Sequence, residues 1–156
     1  MKYKFLIIFI LFTLFFVLKN PVFNYYVSKQ NDRKIQKIKD INIQNAYNFT
    51  SFVQDIEQKT SWKVYITSTY RSFEEQTKLK KQDSRNASAG NSKHNFAKAI
   101  DIILYRNTFW GQVWIIKGSK KERWLSTNVV EIATKNKLIW GGNFLKYYDP
   151  VHFEIK

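Results

Sequence analysis

From its amino end the chain opens with an uncharged, strongly apolar run, Phe5 to Leu18, behind the short basic start Met1-Lys2-Tyr3-Lys4. No polar position recurs within that run, so it predicts a helix hydrophobic on all sides, a membrane signal rather than a surface helix. As a helix it spans only ~21 Å against a ~30 Å hydrocarbon core, a length that suits a signal-peptide apolar region better than a full span. Asn20, Pro21, Val22 and Phe23 supply no small-x-small cleavage pattern, which leaves a retained anchor open. Lys2 and Lys4 precede the run, and Lys19, Lys29, Arg33 and Lys34 follow it, so charge alone does not orient it. Residues 1–20 are therefore expected to be a signal peptide or membrane anchor.

The polar pattern then takes over. Residues 21–40, with "KQNDRKIQKIKD", read as a charged linker or a surface helix. Between 41 and 59, Ile41, Ala46, Phe49, Val53 and Ile56 recur near every 3.6 residues, which predicts an amphipathic helix. "WKVYITSTY" alternates and is rich in β-formers, the pattern of a strand. Ser72 with Glu75 forms a capping-box pattern, so a helix carrying Glu75, Gln76 and Leu79 begins at Ser72. Arg71 falls at the strand-to-helix junction, where a side chain can project into a cleft. "DSRNASAGNSK" reads as a loop, and "AIDIILY" as a second strand in which Asp101 is the one charge. A lone carboxylate in an apolar strand is costly unless it is paired, hydrogen-bonded or bound to metal. Residues 107–126 show a broken pattern and are read as irregular. "LSTNVVEIATKNK" predicts a helix capped by Ser126 or Thr127, "LIWGG" a strand ending in a glycine turn, and "HFEI" a final strand.

Composition narrows the setting. A chain of 156 residues supports one domain, and 44% apolar with 17% aromatic residues gives that domain a core to bury. Lys and Arg number 26 against 12 acids, and a net charge of +14 directs the protein to nucleic acid, anionic lipid or an anionic cell wall. The absence of cysteine excludes disulfides, thiolate metal sites and a lipid-bearing cysteine, and leaves His, Asp and Glu to hold any metal.

His94, Asp101 and His152 suit a divalent metal, with one ligand at a loop end and the others on strands. Asp149, three residues before His152 and across Pro150, is placed to act as a general base beside such a site. Each residue also has a plain structural reading, since a lone histidine at a strand edge can be hydrogen-bonded only and D-P-x-H can be a turn. Glu154 shares the parity of His152 and competes as ligand or base, and spacing alone leaves the choice open.

Three blocks together resemble a family of bacterial and phage zinc peptidases, the D-alanyl-D-alanine carboxypeptidases and L-alanyl-D-glutamate endopeptidases. Ser92, His94, Ala99 and Asp101 are in register with the pattern S-x-H-x-x-G-x-A-x-D. Arg71 and Gln76 in "TSTYRSFEEQ" match a second block, and Asp149, His152, Phe153 and Glu154 a third. The likeness covers residues 41–156, the expected zinc peptidase domain. It implies an α+β fold, a small antiparallel β-sheet flanked by helices with the zinc site in a cleft on the sheet, here preceded by the apolar helix. It implies one zinc per chain on His94, Asp101 and His152, with Asp149 as base, Arg71 near the scissile carbonyl, and Ser92 and Gln76 lining the substrate site. The implied activity is hydrolysis of peptidoglycan stem-peptide amides at L-alanyl-D-glutamate. The alternatives are D-alanyl-D-alanine carboxypeptidase action and a wall-binding zinc module that has lost catalysis. A monomer on the extracytoplasmic side of the cell envelope, held to the membrane by its amino-terminal segment and meeting stem peptides and the anionic wall, follows. Nucleic acid is not an expected partner, because charge is its only support. One departure stands out: Ala97 occupies the pattern's glycine, at a cost of roughly 1–2 kcal/mol if that position needs a positive φ. "WGG" before the third block looks more like the endopeptidase branch.

Overall fold

The structure, a computed structural model, describes residues 2–156 and, within the first helix, the side chains of Ile7 and of Leu18 onward. The apolar run of 5–18 thus falls, those two positions apart, on side chains outside the described residues. Among the described residues no helix is long and apolar enough to cross a membrane.

Helix α1 (Lys2–Lys39) runs unbroken through the segment expected to be a linker or surface helix. Its second half buries Val27, Asn31 and Ile38, with Ile35 partly covered, on one stripe at helical spacing. That stripe is interrupted by Asn31, which hid it in the sequence. The Asn31 amide acts as a surrogate strand partner for β1 (Lys63–Ser68): its Nδ2 donates to the Val64 carbonyl at 2.8 Å, and its Oδ1 accepts from Ile66 N at 2.9 Å. Lys34 adds a bond to the Thr67 carbonyl at 2.9 Å. The free edge of β1 is therefore covered by a helix, which removes an exposed strand edge.

Helix α2 (Ile43–Lys59) starts at Asn42, whose side chain accepts from Asn45 N, and buries Phe49, Phe52 and Ile56. Helix α3 (Phe73–Gln82) starts at Ser72 with both capping-box bonds to Glu75 in place, as expected. The long strand β2 (Ala99–Thr108) is the axis of a five-stranded antiparallel sheet. It pairs with β1 on one side. On its other side it pairs with β5 (His152–Ile155) through Ala99–Asp101 and with β3 (Gly111–Ile115) through Leu104–Thr108. Strand β4 (Leu138–Trp140) completes the sheet beyond β5. Ile100, Ile102 and Leu104 point to the core with Phe153, Phe52 and Trp124, and the ring pair Phe52–Phe153 lies 5.0 Å apart. Alternation along β2 then puts Asp101 on the opposite face.

Two local expectations are corrected. Residues 107–126 are ordered as the β2–β3 hairpin and helix α4 (Lys121–Leu125). The hairpin turns over Phe109 and Trp110, two residues without turn propensity, and β3 lacks a clean alternation of burial, so the sequence carried little signal. Helix α5 (Val129–Lys135) is entered through Asn128 in a left-handed conformation, φ 62°, with no side-chain cap. Ser126 Oγ donates to the Arg123 carbonyl instead, and Thr127 Oγ1 accepts from Val129 N at 3.3 Å.

Candidate metal centre

Sheet register assembles the centre. Asp101 on β2 pairs across the sheet with His152 on β5 and with Ser68 at the end of β1, where a register shift between Ile66 and Ser68 re-aims the strand end. His94 arrives from a 3₁₀ turn, Lys93–Phe96, that leads into β2. The ligand atoms of His94, Asp101 and His152 lie within 4.8 Å of one another. Asp101 Oδ1 is 3.2 Å from His94 Nε2 and 3.0 Å from His152 Nδ1. Ligands of a tetrahedral zinc are separated by about 3.3 Å when each bond is near 2.0–2.1 Å, and both contacts of Asp101 Oδ1 match that spacing.

The far side of each candidate ligand is fixed. His94 Nδ1 donates to the Thr69 carbonyl at 2.7 Å, which makes Nε2 the nitrogen presented to Asp101. His152 Nε2 lies 3.2 Å from Glu154 Oε2, which leaves Nδ1 for the metal. Glu154 therefore stands behind His152 rather than beside the ligands. Asp101 Oδ2 accepts from Arg71 Nη2 at 3.0 Å, so its Oδ1 alone is presented. Thr69, whose backbone sets the His94 tautomer, was not legible in the sequence, because any residue type can offer that carbonyl.

Charge in the centre is strongly biased. Burial alone raises the Asp101 carboxyl, but hydrogen bonds and charge from His152 and His94 outweigh it and hold the group well below the usual carboxylate range. Burial likewise lowers His152, yet bonds to Asp101 and Glu154, with Asp149 near, push it up to about 9. The hydrogen bond to His152 also lowers Glu154. The pocket thus favours positive charge at His152, the demand a divalent cation meets. A pH dependence follows with a fixed sign. A histidine raised from 6.5 to about 9 stabilises the folded protein fully below pH 6.5 and loses that contribution as pH rises through 9. Chelated protein should lose up to about 3 kcal/mol between pH 6.5 and 9.5. If His152 serves as a neutral zinc ligand, protein saturated with zinc should show no such fall, as melting curves across that range will test.

Arg71 is tied down by three donors' worth of contacts: Nε to Ser68 Oγ, Nη1 to Gln76 Oε1 and Nη2 to Asp101, each 3.0 Å. Two of the five guanidinium N–H groups remain for another acceptor. Gln76 is buried, and its Nε2 is spent on the Ala87 carbonyl at 2.8 Å, so both ends of its amide are used inside the protein. Asn95, also buried, donates to the Arg71 and Ser72 carbonyls and accepts from Gly90 N, which stitches the loop of 83–92 to the start of α3.

Asp149 and His152 are the first and last residues of a turn closed by His152 N to the Asp149 carbonyl at 3.1 Å, with Pro150 second. Proline favours that position, and the turn brings its two ends to one side. Gly141 admits the turn: a Cβ there would sit 2.5 Å from the Asp149 carbonyl oxygen. Trp140 Nε1 holds the Pro150 carbonyl at 2.8 Å. Asp149 Oδ1 is buried with no hydrogen-bond partner, and Lys117 Nζ lies 3.6 Å away.

Ala97 does adopt the left-handed conformation, φ 53°, ψ 30°, and is fully buried. It closes the 3₁₀ turn in a Schellman pattern, with Lys98 N bonded to the Lys93 carbonyl and Ala97 N to the His94 carbonyl. Asn45 Nδ2 of α2 clamps its carbonyl at 3.1 Å. His94 keeps its bond to Thr69 despite the strain. Ala97→Gly relieves about 1–2 kcal/mol of strain but loses one buried methyl, about 0.8 kcal/mol, and gains about 0.4–1 kcal/mol of unfolded-chain entropy. The expected net change is under about 1 kcal/mol with activity kept, measurable by urea denaturation.

Arg71, Gln76, Ser92, His94, Asp101, Asp149 and His152 all line one cleft of about 460 Å³. A larger hollow of about 760 Å³ between α1 and α2 holds neither histidine.

Residues 85–155 match the family described as D-alanyl-D-alanine carboxypeptidase. The chain is similar to the peptidoglycan L-alanyl-D-glutamate endopeptidase CwlK of Bacillus subtilis (strain 168), 34% identical over 102 residues, 59% of this chain and 60% of that protein. It thus spans about 60% of the length of that curated relative. Among solved structures it is similar to the L-Ala D-Glu endopeptidase ChiX of Serratia marcescens, with TM-score 0.55, 15% identity and coverage of 80% of this chain and 86% of that one. It is also similar to DacB from Streptococcus pneumoniae D39, with TM-score 0.50, 16% identity and coverage of 74% and 66%. These structures bear out the α+β fold with a small antiparallel sheet. The family match bears out the motif resemblance over residues 85–155, the span that holds the first and third blocks, while Arg71 and Gln76 lie outside it.

Proposed function

We propose, from the match of residues 85–155 to the family described as D-alanyl-D-alanine carboxypeptidase, that this chain is a zinc-dependent peptidoglycan peptidase. The reaction is hydrolysis of a stem-peptide amide, with L-alanyl-D-glutamate the bond favoured by likeness to CwlK. The observation that carries the reading is the convergence of His94 Nε2, Asp101 Oδ1 and His152 Nδ1, each with its other polar atom already engaged.

A zinc ion held by those three atoms would supply Lewis acidity toward a water and a carbonyl oxygen. Asp149 Oδ1, buried and without a hydrogen-bond partner, takes the proton of the attacking water and returns it to the leaving amine. Arg71 offers its two remaining donors to the oxyanion of the tetrahedral species, held in aim by Ser68, Gln76 and Asp101. Gln76 acts on substrate through Arg71, and Ser92 contributes to the cleft wall.

The net charge of +14 concentrates the enzyme, acting as a monomer, on an anionic wall at the cell envelope, with residues 1–20 as signal or anchor and 41–156 as the peptidase domain. Metal analysis paired with hydrolysis of purified peptidoglycan before and after chelation tests the scheme. One zinc per chain and chelator-sensitive cleavage are expected, and metal-free active protein would overturn it. The family description favours a second reading, trimming of a terminal D-alanine, and mass analysis of the released muropeptides separates the two.

A further inference from the structure

The tip of the β2–β3 hairpin is made of Phe109 and Trp110, 71% and 88% exposed. Their rings pack edge to face on each other at 4.9 Å. Tight hairpin turns ordinarily take glycine, asparagine or aspartate, so two aromatic rings at this tip contribute nothing to the turn and expose a contiguous apolar surface.

Helix α1 is docked along this same hairpin. Phe23 packs edge to face on Tyr105 and Trp114, at 5.2 and 5.9 Å. Followed toward its amino end, the helix meets the hairpin progressively nearer the tip. Asn24 Oδ1 accepts from Tyr105 Oη and Asn107 Nδ2, Asn20 Oδ1 accepts from Gln112 Nε2, and Lys19 Nζ donates to the Phe109 carbonyl at 3.1 Å. The apolar run of 5–18 begins immediately before Lys19 in this direction. The aromatic tip is therefore level with the end of that run, beside a lysine.

We propose that Phe109 and Trp110 form a second membrane contact, seated in the interfacial layer of the bilayer next to the point where the amino-terminal segment enters it. The inference rests on the anchoring reading of residues 1–20. Aromatic rings favour the interface, where an apolar body meets lipid and the indole N–H meets water, and a lysine at the same level keeps its ammonium among the headgroups. From the tip, β2 rises to Asp101 over roughly 25 Å at about 3.3 Å per residue. Two contacts, rather than one flexible tether, would hold the metal centre at that height above the lipid.

The chain has no cysteine, so a single label can be placed without background. Full-length Trp110→Cys and, as a control on the exposed loop at the cleft, Ser84→Cys would each carry an environment-sensitive nitrobenzoxadiazole group. Both are reconstituted with vesicles of equal parts phosphatidylethanolamine and phosphatidylglycerol. The expected result is a blue-shifted, several-fold brighter label at 110 that shallow doxyl-lipids quench, and an unchanged label at 84. The unlabelled protein should lose most of one tryptophan's doxyl quenching on Trp110→Phe. Vesicle-bound protein with a water-like label at 110 and no difference on Trp110→Phe would overturn the tip contact alone, as would a tip that responds only to added wall polymer. Failure of the full chain to associate with vesicles would overturn the tip contact together with the anchor, while hydrolysis of peptidoglycan by the same preparation judges the peptidase reading separately.

Discussion

Asp149→Asn is expected to lower hydrolysis of purified peptidoglycan by about 10²–10⁴-fold, the range a positioned general base contributes, while the protein still binds one zinc and melts no lower than the parent. The two halves of that outcome have one cause. A carboxylate oxygen buried without a hydrogen-bond partner is destabilising, a cost that a catalytic role would account for. Lys117 at 3.6 Å, itself largely exposed, offsets little of that cost. Asparagine keeps the shape and the backbone turn to His152, so the fold loses nothing and the charge penalty is relieved. Hydrolysis unchanged by the substitution would remove Asp149 from the reaction. Zinc lost on substitution would make it a ligand instead.

The site was readable in the sequence to the extent that its parts are local. Ser72 and Glu75 announce the start of α3 because a capping box needs both residues at that spacing, and Arg71 is then located by adjacency. Asp149, Pro150 and His152 are likewise one turn. What places Asp101 opposite His152 is sheet register across 51 positions, for which the sequence offers only the oddity of a charge in an apolar strand. Ala97 was legible as a departure but not as a conformation; its φ of 53° decides that the pattern's glycine serves a left-handed turn. Two features were not legible. Asn31 shields the β1 edge from inside a stretch whose charges suggested solvent, because one buried amide breaks an apolar stripe without breaking the packing. The hairpin tip was obscured because Phe109 and Trp110 lack the glycine or asparagine that marks a two-residue turn.

Asp101 is the residue on which most of this geometry converges, and Asp101→Ala should be the most damaging single change. One carboxylate meets both histidines through Oδ1 and Arg71 through Oδ2, while its backbone carbonyl accepts from Thr67 Oγ1 at 3.1 Å. Alanine removes a ligand, unties Arg71 and leaves a partly buried guanidinium facing two imidazoles. Breaking a buried charged cluster in this way costs about 3–5 kcal/mol, so the metal-free variant should unfold at a clearly lower urea midpoint, with zinc and hydrolysis both lost. Asp101→Asn separates charge from space. It retains side-chain bulk but withdraws the negative charge that holds His152 near 9, so the decline in stability of chelated protein between pH 6.5 and 9.5 should shrink. The competing assignment of Glu154 as ligand is tested by the same pair. If Asp101→Ala kept stoichiometric zinc and parental hydrolysis, Glu154 would have to turn from behind His152 into the coordination sphere, and the 3.2 Å contact that now fixes the His152 ring would be given up.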